Sequence, residues 1–233
     1  MEFQAVLFDF DGVLGNTMDD NYRAWSRACG EFAIPLDRHD YFLLEGLSVH
    51  AVARTVLARH GQDPALVARL SALKERYYLE NNQFHFYPGA LELVSMLGST
   101  HRLGLVSGSG RERLRRTAGE DFLAGFQVVV TGDRVERCKP DPEPYLLAAR
   151  LLGIDPPLCL VVENAPLGIR SAKSAGMSCI GVCSTLTAEH LSGADRVVPD
   201  LRGVADLVLK PECIAWPGES AGDQGAVSTI SGR

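Results

Sequence analysis

The chain has 233 residues, 46% of them hydrophobic, and a formal net charge of −6. That is enough apolar material for one domain, or for a core with an inserted lobe, and it excludes a chain disordered throughout. The acidic balance without a long basic run argues against a nucleic-acid surface, and no apolar stretch is long enough to span a bilayer.

The first element is the apolar run Ala5–Phe8, continued by Phe10, which reads as a buried strand of a parallel sheet. Asp9 and Asp11 stand where it stops. Residues two apart on an extended chain point the same way, so both acids can face one site. Gly12 then lets the chain turn sharply. After Thr17 the pattern becomes helical, with Tyr22, Trp25, Cys29 and Phe32 on one face and Ala33-Ile34-Pro35 as the stop. A second helix is expected from Val49 to His60, closed by Gly61. A third runs from Pro64 to Asn82, with Leu66, Leu70, Leu73, Tyr77 and Tyr78 as its apolar side. No strand is expected between Met18 and Phe84. This stretch reads as a helical lobe inserted after the first strand, its aromatics and histidines serving packing.

Pro88-Gly89 marks the return, followed by a short helix from Ala90 to Leu97 and an apolar strand from Leu103 to Val106. The chain then alternates. Helix Arg111–Gly119 precedes strand Phe126–Val130, and helix Pro142–Leu152 precedes strand Leu158–Val162. Helix Ala165–Ala175 leads to strand Cys179–Val182, and the short helix Ala188–Leu191 to strand Arg196–Val198. Such alternation predicts an α/β fold, a Rossmann-like, doubly wound parallel sheet covered on both faces. The expected division is a core of residues 1–16 and 87–216, a helical cap of residues 17–86, and a mobile Gly- and Ser-rich tail of residues 217–233.

Three further strand ends carry polar groups. Ser107-Gly108-Ser109-Gly110, just before a helix, offers hydroxyl and backbone N–H donors to an anion, although the same letters make a plain helix cap. Lys139, in Cys138-Lys139-Pro140-Asp141-Pro142, is a compact point charge suited to phosphate. Glu163-Asn164 ends the run Leu158–Val162 and offers hard oxygen donors of the kind magnesium prefers; Asn164 also fits a helix N-cap, and the two roles are compatible. None of the six cysteines forms a C-x-x-C pair, so they read as reduced thiols. With no signal peptide visible at Met1-Glu2-Phe3, a cytoplasmic location is expected.

Two Asp, a Ser, a Lys and a Glu-Asn pair, each at a strand end and in this order, resemble the haloacid dehalogenase superfamily. The similarity is to its phosphatase and β-phosphoglucomutase-like branch, and it is carried by D-F-D-G-V-L-G-N-T and V-V-E-N-A-P-L-G-I-R-S-A-K-S-A-G-M. The resemblance implies Asp9 as the nucleophile and Asp11 as the acid and base. It implies Ser107, Gly108 and Lys139 as phosphate-binding, and Mg2+ held by Asp9, the Asp11 carbonyl, Glu163 and Asn164. An aspartate at position 11 favours phosphate-ester chemistry over carbon–halogen or phosphonate cleavage.

Two departures from the pattern matter. Asn164 stands where Asp is commoner, which removes one charge from the metal site and implies that Asn164→Asp would tighten it. Asn21 stands where the β-phosphoglucomutases carry His, and Glu45 and Val49 where they carry Lys and Arg; Gly46 and Ser48 match. An acidic Glu45 and a neutral Val49 cannot grip a second phosphate. The reading is therefore a magnesium-dependent phosphomonoester hydrolase, acting on a small phosphorylated metabolite through an aspartyl phosphate. The alternatives are a sugar-phosphate phosphomutase and a non-catalytic binding protein on the same fold. The substrate cannot be read from the sequence, nor can the oligomeric state, with which a monomer is compatible.

Overall fold

In the computed structural model, residues 3–209 are described. Six strands form one parallel sheet: β1 Ala5–Phe8, β2 Arg102–Ser107, β3 Val128–Thr131, β4 Cys159–Glu163, β5 Ser178–Val182 and β6 Arg196–Val198. Their spatial order is β3-β2-β1-β4-β5-β6. β1 is central, with Phe8 opposite Leu105 on one side and Val162 on the other. The winding reverses about β1, and open α/β sheets bind ligands outside the carboxyl ends of strands at that point.

The buried residues explain the sheet's two layers. Along β1 the side chains alternate. Val6 and Phe8 join a cluster with Leu93, Leu97, Val204 and Val208, whereas Ala5 and Leu7 join one with Tyr145, Leu152, Ile169 and Ala172. Helices α5 (Ala90–Gly98) and α10 (Leu201–Leu209) therefore cover one face, and α8 (Glu143–Leu152) and α9 (Pro166–Ser174) the other. A strand apolar on both sides can only sit inside such a sandwich.

Between β1 and α5 lie four helices, α1 Met18–Gly30, α2 Arg38–Phe42, α3 Val49–Arg59 and α4 Val67–Asn81. They bury an apolar cluster of their own around Trp25, Tyr41, Phe42, Val56, Leu57, Leu70 and Tyr78. No strand is found from Met18 to Asn82, as the sequence pattern requires. Asp37 and Ser48 cap α2 and α3 by accepting from the backbone N–H of Asp40 and Ala51.

Three helices were not anticipated. α2 spans five residues and α7 (Glu120–Leu123) four, too short for a periodicity to show. α10 contains Gly203, which reads as a breaker but is there for contact: a Cβ at this position would come within 2.7 Å of the Val198 Cβ, so glycine lets the helix lie close on β6. The remaining helix, α6 (Arg111–Ala118), follows β2 at the expected place. α1 ends at Gly30, earlier than its apolar spacing suggested, and the chain turns through Ala33 at φ 53°. The tail expected to be mobile lies outside the described residues.

At the carboxyl ends of β2 and β3 the backbones meet closely, because a Cβ on Gly132 would fall 2.4 Å from the Gly108 carbonyl oxygen. A backbone neighbour cannot swing aside. Gly132→Ala is expected to lower unfolding free energy by about 1–3 kcal/mol, the usual range for overpacking, in a urea titration.

Candidate active site

Asp9 and Asp11 follow β1, Ser107 ends β2, and Glu163 and Asn164 end β4, so neighbouring strands deliver them to one rim of the sheet. Lys139 arrives from the loop before α8. Its Nζ donates to Asp9 Oδ1 at 2.6 Å, to Glu163 Oε1 at 2.7 Å and to the Val106 carbonyl at 3.1 Å. All three ammonium protons are thus used inside the protein. Burial opposes the charge on Lys139, but Asp9 and Glu163 outweigh it and hold the pKa above the usual lysine value. Two carboxylates share that one cation. Burial, and then the like charges of Glu163 and Asp11, push the Asp9 carboxyl up against the pull of Lys139.

Glu163, the other expected metal ligand at the end of β4, has both carboxylate oxygens engaged within the protein. Its Oε1 accepts from Lys139 and from the Tyr145 hydroxyl at 2.9 Å. Its Oε2 accepts from the backbone N–H of Asn164 at 2.9 Å and of Ala165 at 3.2 Å. A carboxylate has about four acceptor positions, and all are occupied. Glu163 anchors Lys139. Gly168 makes room for it, since a Cβ there would sit 1.7 Å from Glu163 Oε1.

The two acids are treated differently. Asp11 Oδ1 accepts from the Thr17 hydroxyl at 2.6 Å and from Asn21 Nδ2 at 3.2 Å. Its Oδ2 accepts from Ser109 Oγ at 2.8 Å, the Arg113 guanidinium at 2.8 Å and Ser107 Oγ at 3.3 Å. Burial alone would raise its pKa; the charge of Arg113 and the two short hydroxyl bonds more than offset that and bring it down to about 2.

Asn21 also accepts from Lys74 Nζ at 2.7 Å and Arg113 at 3.3 Å, and Glu75 accepts from Lys74 at 2.9 Å. Burial, then the neighbouring Arg113 charge, lowers Lys74 to about 8. Asn21, Lys74 and Glu75 come from α1 and α4 and Arg113 from α6, so one network joins the helical lobe to Asp11. The sequence does mark Lys74, which sits between Leu70 and Tyr78 at four-residue steps, on a stripe that is otherwise apolar. Arg113 and Ser109 carry no such mark beyond lying near Ser107.

The cap-loop residues divide. Glu45 is buried beside Asn164, whose Nδ2 lies 3.2 Å from both its carboxylate oxygens. Burial pushes Glu45 well up, against a bond from Thr185. Gly46 takes φ 88° and packs its backbone over Lys139, and Gly108 fits only as glycine, since a Cβ would meet the Leu47 carbonyl at 2.8 Å. Ser48 caps α3. A chamber of about 50 Å³ between lobe and sheet is lined by Asp9, Asp11, Asn21, Glu45, Lys74 and Arg113, together with Trp25 and Tyr41. A cleft of about 770 Å³ adjoins it at Leu47, Val49 and Gly108.

A divalent cation can be tested against these donors. Asn164 Oδ1 is buried and has no hydrogen-bond partner among the described residues. Such an oxygen costs free energy unless something occupies it. Asp9 Oδ2 likewise takes no bond from the described residues. With the Asp11 carbonyl, these are hard oxygens suited to Mg2+. The set has one carboxylate, in keeping with the absence of any cluster of three or more Asp, Glu, His or Cys side chains fit for a metal among the described residues.

The family model of haloacid dehalogenase-like hydrolases matches residues 6–182. The chain belongs to the haloacid dehalogenase-like hydrolases. Among its relatives in that family is validoxylamine A 7'-phosphate phosphatase of Streptomyces hygroscopicus subsp. limoneus, 35% identical, the match covering 87% of this chain and 96% of that one. β-Phosphoglucomutase of Bacillus subtilis is 30% identical over 89% of this chain and 92% of its own. The solved structure of a putative β-phosphoglucomutase from Bacteroides vulgatus superposes with a TM-score of 0.80 at 30% identity, covering 90% of both chains. The six-strand parallel sheet is that of a haloacid dehalogenase-type α/β fold. No helix among the described residues is long and apolar enough to cross a membrane.

The roles of Glu163 and Tyr145 can be separated by stability. Glu163→Ala leaves Lys139 buried with one carboxylate and is expected to cost about 3–5 kcal/mol, the range for breaking a buried ion pair. Tyr145→Phe removes one hydrogen bond and should cost about 1 kcal/mol. Denaturant unfolding of both variants measures the difference.

Proposed function

We propose that this haloacid dehalogenase-type enzyme hydrolyses a small phosphorylated sugar or polyol through an aspartyl phosphate on Asp9. The observation that carries the reading is the asymmetry of Asp9, which lines the chamber: Lys139 holds Oδ1 at 2.6 Å, while Oδ2 accepts no hydrogen bond from the described residues. A carboxylate held in this way is oriented before substrate arrives. Oδ2 attacks phosphorus, and the bond to the leaving oxygen breaks. Asp11 supplies the proton to that oxygen, and later takes one from the water that cleaves the aspartyl phosphate. At rest Asp11 is held ionised, the form needed for the second step. Acid duty in the first step requires Asp11 to take up a proton, which a phosphate monoester entering as its monoanion can deliver as it displaces Arg113 from Oδ2. In this reading the Ser107 hydroxyl and the backbone around Gly108, which borders the chamber, bind the phosphoryl oxygens.

Mg2+ is part of the proposal. The Asp9 carboxylate, the Asp11 carbonyl and Asn164 Oδ1 would hold it, and it would neutralise charge on the phosphoryl group and keep the acids from repelling it. In this reading residues 17–86 act as a cap whose cleft receives the leaving group, and residues 1–16 and 87–216 form the catalytic core. A cytoplasmic location, and a small metabolite rather than nucleic acid or membrane as partner, belong to the same proposal. The relatives' names support a phosphorylated small molecule.

A phosphomutase is the second reading, favoured by the likeness to β-phosphoglucomutase. Glu45 and Val49 weigh against it, because neither can hold the second phosphate that a bisphosphate intermediate carries. A screen of sugar and polyol phosphates with Mg2+, following phosphate release and β-glucose 1-phosphate isomerisation together, is expected to show release dominating. Faster isomerisation would reverse the ranking.

Asp9→Asn is expected to abolish phosphate release while leaving the fold intact by circular dichroism, since volume is kept and the nucleophilic oxygen lost. Asp11→Asn should reduce the rate by about 10²–10⁴-fold, the usual worth of a positioned proton donor. Near-normal turnover in Asp9→Asn would rule out the covalent route.

A further inference from the structure

Four groups meet where the helical lobe touches the end of β4. Asn164 Nδ2 lies 3.2 Å from Glu45 Oε1, 3.2 Å from Glu45 Oε2 and 3.0 Å from Thr185 Oγ1. The Thr185 hydroxyl in turn donates to Glu45 Oε2 at 3.0 Å. Gly12, next to Asp11, completes the contact, since a Cβ there would fall 2.1 Å from Asn164 Nδ2 and 3.2 Å from Glu45 Oε1. An amide has a donor end and an acceptor end. With two carboxyl oxygens and a hydroxyl oxygen gathered on one side, only the NH2 group can point there. The Asn164 oxygen is forced the other way, and it is the buried oxygen that no group of the described protein satisfies.

We propose that Glu45 is a positioning residue for a divalent cation: from the helical lobe it turns the Asn164 amide so that Oδ1 faces the ion, and it places a carboxyl just behind that ligand. The inference rests on the proposed cation-dependent hydrolase. It has two consequences. Cation affinity depends on the lobe being closed, because Glu45 belongs to the lobe and Asn164 to the sheet. And Asn164 is matched to Glu45. An aspartate at 164 would set two carboxyls face to face about 3.2 Å apart with no N–H between them, so the contact that aims Oδ1 at the ion is lost. The tightening expected of Asn164→Asp from the sequence therefore does not hold while Glu45 is present.

The test is cation binding itself, measured on the full chain by Mn2+ electron paramagnetic resonance titration and Mg2+ calorimetry without substrate. Glu45→Gln keeps the volume but puts an NH2 group opposite the Asn164 amide, so that Oδ1 is no longer turned toward the ion; it is expected to weaken Mn2+ binding about tenfold. Thr185→Val removes the other restraint on the amide and should weaken binding in the same direction. Asn164→Asp should weaken binding or leave it unchanged in the wild-type background, and tighten it in the Glu45→Gln background. A merely structural Glu45 would not reverse the sign of that substitution. Wild-type affinity in both Glu45→Gln and Thr185→Val, or the same effect of Asn164→Asp in both backgrounds, would overturn the proposal while leaving the hydrolase standing. A wild-type chain that binds neither Mn2+ nor Mg2+ at millimolar concentration would overturn both.

Discussion

One buried ammonium holds the site together. Lys139 carries a full charge in a place closed to water, and moving such a charge out of water costs several kcal/mol unless its partners are complete. They are complete here: a carboxylate from the end of β1, another from the end of β4, and a carbonyl from β2. The loop bearing Lys139 therefore fastens three strands at one point. Other features follow from the need to keep that point satisfied. Tyr145 and two backbone N–H groups complete Glu163, and Gly168 lacks a side chain so that Glu163 can lie against α9.

The same arithmetic of donors and acceptors separates the two aspartates. Asp9 shares its cation with Glu163 and keeps one oxygen free, whereas Asp11 is surrounded by five donors and has none to spare. Two like residues two positions apart thus acquire unlike chemistry. The difference comes from elements far away in the chain, since Arg113 and Asn21 reach Asp11 from α6 and α1.

The helical lobe takes part through polar contacts as well as by covering the site. Its own apolar cluster lets it hold a shape apart from the sheet. Its contacts near Asp9 and Asp11 are polar, through Asn21, Lys74 and Glu75 on one side and Glu45 on the other. These contacts set the walls of a chamber of about 50 Å³ that opens beside Asp9 and Asp11.

The sheet, the inserted helices and the strand-end residues Asp9, Asp11, Ser107, Lys139, Glu163 and Asn164 are legible in the sequence. These are local properties: apolar runs of strand length, helical spacing, and polar groups where a run stops. α10 is not legible there, and its Gly203, a poor helix former, finds its reason only in the close contact with Val198 of β6. Nor did the sequence decide which oxygens are free. Glu163 looks like a metal ligand in the sequence and becomes an anchor once Lys139, Tyr145 and two amides are counted around it. Asn164 looks like a weakened aspartate and becomes the partner of Glu45, a residue 119 positions away. Periodicity and motif spacing report what a residue can offer. Only the fold decides which donor meets which acceptor, because hydrogen bonds reach about 3 Å and those partners come from every part of the chain.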